Sequence, residues 1–204
     1  MQFQRGGFRR RLAPGRREWL ALLGAGALLG VTRTVGAEEV SVPIGLQAQL
    51  LAKVAEYDRH FLERAQGYAH IVLVLKQGHT ESTHVISEMQ TNLARIDSVA
   101  GIPHRETVWA YTVASELTEF CKNRHASIVF FGPGLEPNID EIARAFSGVD
   151  VLTASSVAGY VDKGIVIGFD LVSSRPKIVV NLKQTRLQMV DFRADLLKIA
   201  RVIE

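Results

Sequence analysis

The sequence predicts an α/β domain, a three-layer sandwich with a mainly parallel sheet, helices on both faces and a C-terminal antiparallel hairpin. Along most of the chain, short apolar runs rich in β-branched residues alternate with amphipathic segments. This alternation is typical of parallel strands that are joined by helices. Near the C-terminus, two strand-like runs are joined by a polar link that is too short for a crossover, which predicts the hairpin.

The first half of the domain contains helical and strand patterns in turn. Apolar residues at helical spacing predict a helix over residues 43–64. The continuous apolar run 69–76 predicts a strand that is buried on both faces, and the apolar stripe in 82–100 predicts the next helix. Residues 105–112 then predict a strand, and residues 113–124 predict a helix.

The same alternation continues through the middle of the chain. Residues 127–131 predict a short buried strand, and residues 150–154 predict another. Between them, Asn138 followed by Glu141 has the spacing of a capping box, so we expect a helix that begins there and ends at Phe146.

The last part of the chain has a different pattern. Residues 164–172 and 177–182 predict two strands, and the four polar residues between them predict the turn of a hairpin. Residues 192–203 predict a closing amphipathic helix. Its expected buried side holds Leu196, Leu197, Ile199, Ala200 and Ile203.

The N-terminus has the pattern of a secretion signal. An uncharged, mostly apolar run over residues 19–32 is shorter than the roughly 20 residues that a spanning helix needs. Small residues at 35–37 offer a cleavage site after Ala37. A basic region precedes the run and contains Arg5, Arg9, Arg10, Arg11, Arg16 and Arg17. We therefore predict a signal peptide over residues 1–37, a mature domain over 38–204 that does not span the membrane, and a periplasmic location.

The export route has two interpretations. Arg16-Arg17 followed by Trp19 resembles the twin-arginine pattern, whereas the general secretory route needs only the apolar run and the cleavage site. An uncleaved membrane anchor is a third interpretation of the same segment. A lipid anchor is disfavoured because no cysteine lies at the cleavage site.

Charge excludes one class of partner. The whole chain has 24 basic and 21 acidic residues, a formal net charge of +3. Residues 1–37 hold seven of the basic and one of the acidic residues, which leaves 17 basic against 20 acidic and a charge of −3 in the mature part. No basic run remains to follow a phosphate backbone, so we expect no nucleic-acid binding.

The sequence contains no strong catalytic or metal signature. Cys121 is the only cysteine, so no intramolecular disulfide forms, and its helical context indicates a buried thiol rather than an intermolecular bridge or a nucleophile. His79, Glu81, His84 and Glu88 have metal-ligand side chains, but their spacing matches no zinc motif, and a solvated start of a helix explains them. We therefore predict no enzyme activity, no metal and no cofactor.

One ligand site follows from the topology. In an open parallel sheet, ligands bind beyond the carboxyl ends of the strands, near helix N-termini. Residues predicted at that edge include Gly132, Thr153, Ser155 and Ser156, whose amides and hydroxyls could hold a small polar or anionic ligand. Helix capping by the two serines, together with a plain turn at Gly132, is the alternative.

Five stretches of the mature chain resemble the YfiR family, in the family's order and at similar spacing. They are VLTAS at 151–155, Gly159-Tyr160, GIVIGF at 164–169, IVVNL at 178–182 and LLKIA at 196–200. The first helix is also similar to that of the family. The resemblance implies a non-enzymatic periplasmic regulator, a homodimer that acts by contact with the periplasmic part of an inner-membrane signalling protein. In the best-known member, that partner is a diguanylate cyclase, and binding lowers cyclic-di-GMP and biofilm formation.

Three departures limit what the resemblance implies. Lys163-Gly164 stands where the family has a double glycine, and Arg193-Ala194 replaces its paired serines. The cysteines that form redox-sensitive bridges in the known member are absent apart from Cys121, which argues against a redox-gated mechanism. A periplasmic small-solute-binding protein that uses the crevice above the sheet is the alternative function.

Overall fold

The computed structural model describes residues 41–204, so the predicted leader and its cleavage site lie outside the described residues. The strands are β1 (Ala69–Lys76), β2 (His104–Tyr111), β3 (Ile128–Phe131), β4 (Leu152–Ser155), β5 (Ile167–Val172), β6 (Arg175–Asn181) and β7 (Arg201–Ile203). The helices are α1 (Ile44–Ala55), α2 (Phe61–Ala65), α3 (Thr80–Leu93), α4 (Ala114–Asn123), α5 (Ile139–Phe146), α6 (Gly159–Asp162), α7 (Leu182–Leu187) and α8 (Ala194–Ile199).

The described strands form one sheet in the order β2-β1-β3-β4-β5-β6-β7. Strands β1 to β5 are parallel, β6 is antiparallel to β5, and β7 is parallel to β6. Only Ser173 and Ser174 connect β5 to β6, and both have positive φ, 50° and 60°. Two successive residues with positive φ between paired strands are typical of a type I′ turn, whose twist matches that of the flanking strands. The predicted mainly parallel sheet and its C-terminal hairpin are confirmed.

Side chains of β1 alternate between two separate cores. Ile71 and Leu73 lie in the core that contains α1 and α3, whereas Val72 and Val74 lie in the core that contains α4 and α5. All four are fully buried. Because successive side chains of a strand point to opposite faces, the two cores lie on opposite sides of the sheet. The predicted three-layer sandwich is confirmed.

The first predicted helix is two helices. Residues 56–60 break it, and the chain there is bonded to a segment far away in sequence. Arg59 N donates to Asp191 O at 2.9 Å, and Arg193 N donates to Tyr57 O at 2.9 Å. These contacts replace hydrogen bonds that a continuous helix would make within itself, which local periodicity does not reveal. The next helix, α3, likewise ends at Leu93, earlier than predicted.

The predicted capping box at α5 is not formed. Asn138 precedes the helix but makes no side-chain cap hydrogen bond. Its Oδ1 instead accepts a hydrogen bond from Lys76 Nζ at 3.3 Å. A tertiary contact at the end of β1 has therefore replaced the local one.

The predicted C-terminal helix is wrong over its second half. Helix α8 ends at Ile199, and residues 201–203 form β7, in which Val202 pairs with Val180 of β6. Ile199, expected on the buried side, is 56% exposed. The free edge of β6 offers main-chain partners to β-branched residues, and pairing there replaces the last helical turn. Helix α7 was not predicted. Its N-cap is Asn181, whose side chain accepts from Gln184 N at 2.8 Å.

Among residues 41–204, no helix has the length and apolar character needed to cross a membrane.

Candidate functional site

The sheet has a topological switch point between β1 and β3. Helix α3, which follows β1, packs in one core, whereas α4 and α5 pack in the other. The loops after β1 and β3 therefore leave the sheet toward opposite faces and define the crevice where open α/β sheets bind ligands. Gly132 lies in one of these loops and His79 in the other.

Thr153 is fully buried, and its hydroxyl is committed to contacts within the protein. Oγ1 donates to Gln188 Oε1 at 2.9 Å and accepts from Val166 N at 3.0 Å. The first bond ties the sheet to the chain after α7, and the second aligns the start of β5. This pair of bonds gives Thr153 a structural role that needs no ligand.

Ser155 and Ser156 are also buried and bonded internally. Both hydroxyls donate to Phe131 O, at 3.2 Å and 3.4 Å, and Ser155 Oγ accepts from Val157 N at 2.9 Å. Neither caps a helix, because α6 begins at Gly159 with Ala158 at its N-cap position. The predicted capping is therefore replaced by a side-chain turn that closes the end of β4.

Gly132 is a position of close approach. A Cβ there would lie 3.0 Å from Ser82 Oγ and 3.1 Å from Ile86 Cγ1, so the missing side chain lets the loop pack against α3. Gly134, with φ of +86°, repeats this arrangement, since a Cβ would lie 2.7 Å from the His79 ring. His79 thus fills the space above the switch point. Its Nδ1 accepts from Ser82 N at 3.1 Å and caps α3.

Tyr160 of α6 bonds the loop that follows β3. The buried Tyr160 hydroxyl accepts from Leu135 N at 2.9 Å, and burial together with a hydrogen bond to Glu136 raises its pKa. Burial alone would raise the pKa of the Glu136 carboxyl, but hydrogen bonds from Tyr160 and from backbone amides outweigh it, and the pKa is lowered. The raised pKa favours the protonated phenol, and the bond that its hydroxyl accepts from Leu135 N holds the loop after β3.

Of the four residues predicted to bind a ligand, Gly132, Ser155 and Ser156 lie at the carboxyl edge of the sheet, whereas Thr153 lies inside β4, level with the start of β5. Their polar groups are used by the fold, and the ligand-binding role remains a prediction. The histidine and glutamate residues 79–88 do not converge. Within the described part of the chain no group of three or more metal-ligating side chains is found, and His84 Nε2 lies 3.8 Å from Glu88 Oε2 on an exposed helix face.

Cys121 faces a cavity of about 430 Å³ on the other side of the domain, beside Arg64 and His125. Burial raises the pKa of its thiol to about 12, so the neutral thiol is the stable form and the thiolate nucleophile is disfavoured. This confirms the predicted buried thiol.

Sequence reasoning missed a second surface, on β2. This strand is one of the two edge strands of the described sheet, and a cleft of about 250 Å³ lies against it. The cleft is lined by His70, Arg105, Thr107, Phe120 and Arg124. The available signal was the charged and polar content of residues 104–107, which is unusual for a parallel strand and typical of an edge.

These features define a doubly wound α/β domain whose switch-point crevice is filled by its own side chains. The YfiR/HmsC-like family, DUF4154, matches residues 46–201, and the chain belongs to this family. The family is one of periplasmic regulatory proteins. The resemblance inferred from residues 151–200 is thereby confirmed. No curated protein matches the sequence.

Three solved structures share the fold at low sequence identity. A conserved domain protein from Vibrio cholerae is 10% identical with a TM-score of 0.58, and the match covers 81% of this chain and 61% of that one. An ABC domain in complex with L-Trp from Streptococcus pneumoniae is 13% identical with a TM-score of 0.57, covering 76% and 60%. The ligand-free, open structure of a substrate binding protein with adhesive properties from Clostridium difficile is 11% identical with a TM-score of 0.55, covering 81% and 60%. The chain therefore spans about three fifths of each of these structures, and the likeness shows the fold alone.

Proposed function

We propose that residues 38–204 act as a non-enzymatic periplasmic regulator, by protein contact with the periplasmic part of an inner-membrane signalling protein such as a diguanylate cyclase. Family membership supports the regulatory class. The observation that carries the contact mechanism is the contrast between the two candidate surfaces. The hydroxyls of Thr153, Ser155 and Ser156, which were predicted to bind a ligand, are bonded internally, whereas the edge strand β2 presents exposed side chains.

The test of this function is the level of cyclic-di-GMP in cells that lack the gene, beside cells in which the gene is restored. A repressor of a cyclase predicts a rise on deletion that restoration reverses. An unchanged level in both strains would contradict the cyclase partner. A pull-down from membrane fractions would then decide whether another signalling protein is bound.

Export is part of the proposal. We expect the mature chain to begin at Glu38, which N-terminal sequencing of the periplasmic protein would check. Changing Arg16 and Arg17 together to lysine separates the two routes, because the twin-arginine route requires the arginine pair and the general route needs only positive charge. Cytoplasmic accumulation of the uncleaved chain would indicate the twin-arginine route, and normal export the general one.

A small-solute-binding function is the second candidate. The two solved structures described as an L-Trp complex and as a substrate binding protein share this fold. Calorimetric titration of the purified domain with L-tryptophan tests this candidate. Saturable binding that Thr153→Val weakens and a surface control such as Lys53→Gln leaves unchanged would favour it, whereas absent heat would favour the regulator.

The partner proposals include a homodimer and exclude nucleic acid. Light scattering of the purified domain across a concentration series tests the dimer. A mass that stays at the monomer value up to the highest concentration would contradict it. The formal charge of −3 over residues 38–204 is the basis for expecting no nucleic-acid binding.

A further inference from the structure

Strand β2 has an open main-chain edge. Ala69 N donates to Pro103 O at 2.8 Å, and this bond identifies which residues of β2 are hydrogen-bonded to β1 in the parallel ladder. In such a ladder, alternate residues turn both N–H and C=O to the same neighbour. The backbone groups of Glu106, Val108 and Ala110 therefore point away from β1. Within residues 41–204 no strand pairs with them, and Val108 is 41% exposed.

Two cations flank this edge without carboxylate partners among the described residues. The Arg105 guanidinium lies 4.9 Å from the Tyr68 ring centroid, and that of Arg124 lies 6.0 Å from the Phe120 ring centroid. Both arginines are exposed and line the cleft beside β2. Their stacking on rings leaves the N–H groups of each guanidinium available, a geometry that suits a carboxylate.

The floor of the cleft is fixed by a buried histidine. His70 Nε2 lies 2.9 Å from Thr107 Oγ1, and Nδ1 lies 3.1 Å from Arg124 O. A carbonyl only accepts, so Nδ1 carries the hydrogen and Nε2 accepts from the hydroxyl. These bonds connect β1, β2 and the end of α4. The backbone of Arg124 and the strand that carries Arg105 are therefore fixed relative to each other, next to the open edge.

A second copy of the chain does not complement this surface. The side chains on the cleft face of the strand are those of odd-numbered residues, and none of them is acidic: Pro103, Arg105, Thr107, Trp109 and Tyr111. Pairing of β2 with β2 in any antiparallel register would thus place no carboxylate of the strand beside the two guanidinium groups. One of those registers sets Glu106 against Glu106, where like charges oppose each other.

We infer that the edge of β2 is the docking site for an extended acidic segment of a different protein, which adds as a further strand and places a carboxylate between Arg105 and Arg124. Main-chain bonds to Glu106, Val108 and Ala110 give the segment its direction, and the charged cleft selects its side chain. This inference rests on the proposed function, since it locates the surface through which the regulator contacts its partner.

The experiment is photo-crosslinking in the native cells. A benzophenone amino acid replaces Val108 in one strain and Val172 in the control strain. Val172 is a matched position because it is also a strand valine, 43% exposed, and lies at the end of β5, four strands away from β2 in the sheet. Mass spectrometry then identifies the segment attached at each position. The expected product at Val108 is a segment of another protein that contains Asp or Glu, absent from the Val172 strain.

Charge and edge variants test the mechanism of docking. Arg105→Gln with Arg124→Gln should lower the crosslink yield about tenfold, whereas Lys53→Gln with Lys183→Gln removes the same charge elsewhere and should leave it unchanged. A synthetic peptide copying the captured segment should slow hydrogen exchange at the amides of Val108 and Ala110 in the purified domain. Val108→Pro should abolish the protection of the Ala110 amide, and Val108→Thr should retain it. Proline is tolerated where an edge N–H faces outward, and thermal unfolding checks that the variant folds.

Three results would overturn the inference. They are a crosslink at Val108 to a second copy of this chain, a captured segment without an acidic residue or unaffected by the arginine variants, and no crosslinked protein at Val108. Different results distinguish a failure of the proposed function from a failure of the docking site. An unchanged cyclic-di-GMP level with an acidic segment captured at Val108 would retain the docking site and reject the cyclase. A changed level without that capture would retain the regulator and reject the site.

Discussion

Replacing Asp58 by asparagine removes one charge from a buried ion pair and leaves its shape almost unchanged. Asp58 Oδ2 lies 2.5 Å from Arg64 Nη1, and the two side chains are 0% and 3% exposed. Asp58 Oδ1 also accepts from His60 N and Asp191 N, both at 3.2 Å. The carboxylate therefore joins the break between α1 and α2 to the segment that precedes α8.

The expected loss in the free energy of unfolding depends on the charged group that remains beside Arg64. Removing one partner of a buried pair costs about 3–5 kcal/mol, because the other charge stays in a low-dielectric site. Here Asp150 still bonds Arg64 Nε at 2.5 Å, and its side chain is 47% exposed. This second carboxylate balances part of the charge, so we expect a loss of about 3 kcal/mol in the free energy of unfolding. Asp58→Ala also removes an acceptor from two amides and should cost about 1–3 kcal/mol more.

The domain contains its own control for this prediction. Arg59 and Asp191 form a pair at 3.1 Å between the same two segments, but their side chains are 59% and 48% exposed. Water screens this pair, so Asp191→Asn should cost no more than about 1 kcal/mol. Urea unfolding followed by circular dichroism, with m-values compared, measures both variants. Equal losses for Asp58→Asn and Asp191→Asn would refute the role assigned to burial.

Three further predictions concern the crevice and the cysteine. Thr153→Val should lower the free energy of unfolding by about 1–3 kcal/mol, because Gln188 and the amide of Val166 lose their hydrogen-bond partner. Thr153→Ser, which keeps the hydroxyl, is the control. An equal loss of stability in the serine variant would indicate that packing, and not the hydrogen bonds, is responsible. Gly134→Ala should cost about 1–3 kcal/mol from its positive φ and its contact with His79, and a neutral result in urea unfolding would contradict that contact. Cys121 should react slowly with a thiol reagent at pH 8, since its pKa is raised to about 12 and the thiolate is scarce below that value. The contribution of the neutral thiol to the free energy of unfolding is fully present below pH 9.0, the ordinary pKa of a thiol, and is lost as the pH rises toward 12. Fast labelling of the native domain would contradict this prediction, because it would show that the thiol is accessible.

The predicted β1 is the clearest success of the sequence patterns. Residues 71–75 are continuously apolar, and the strand has the predicted bounds, 69–76. A strand that is buried on both faces is apolar over most of its length, so its centre is visible in the sequence as an apolar run. The hairpin is visible for a similar reason, because a short polar link leaves antiparallel pairing as the solution.

Long-range contacts account for the errors. The break between α1 and α2 depends on Asp58 and Asp191, which lie far apart in sequence. Strand β7 forms because β6 has a free edge, and no pattern within residues 192–203 contains that information. The Asn138 side chain accepts a hydrogen bond from Lys76 of a distant strand and does not form the predicted capping box.

The crevice was located from the sequence, but its chemistry was decided by tertiary structure. The order of elements places Gly132 and Ser155 at the carboxyl edge of the sheet, since parallel strands end at a common edge. Whether their polar groups are free depends on which neighbours contact them. Here the Ser155 hydroxyl donates to Phe131 O, and Gly132 packs against α3.

Composition, periodicity and the order of motifs predict the α/β class, the core strands and the family. The folded chain adds that His79 fills the crevice, that Arg64 is buried between two carboxylates, and that the open edge of β2 lies beside two arginines. The physical reason is that these features arise from contacts between distant residues, whose energies no local pattern records.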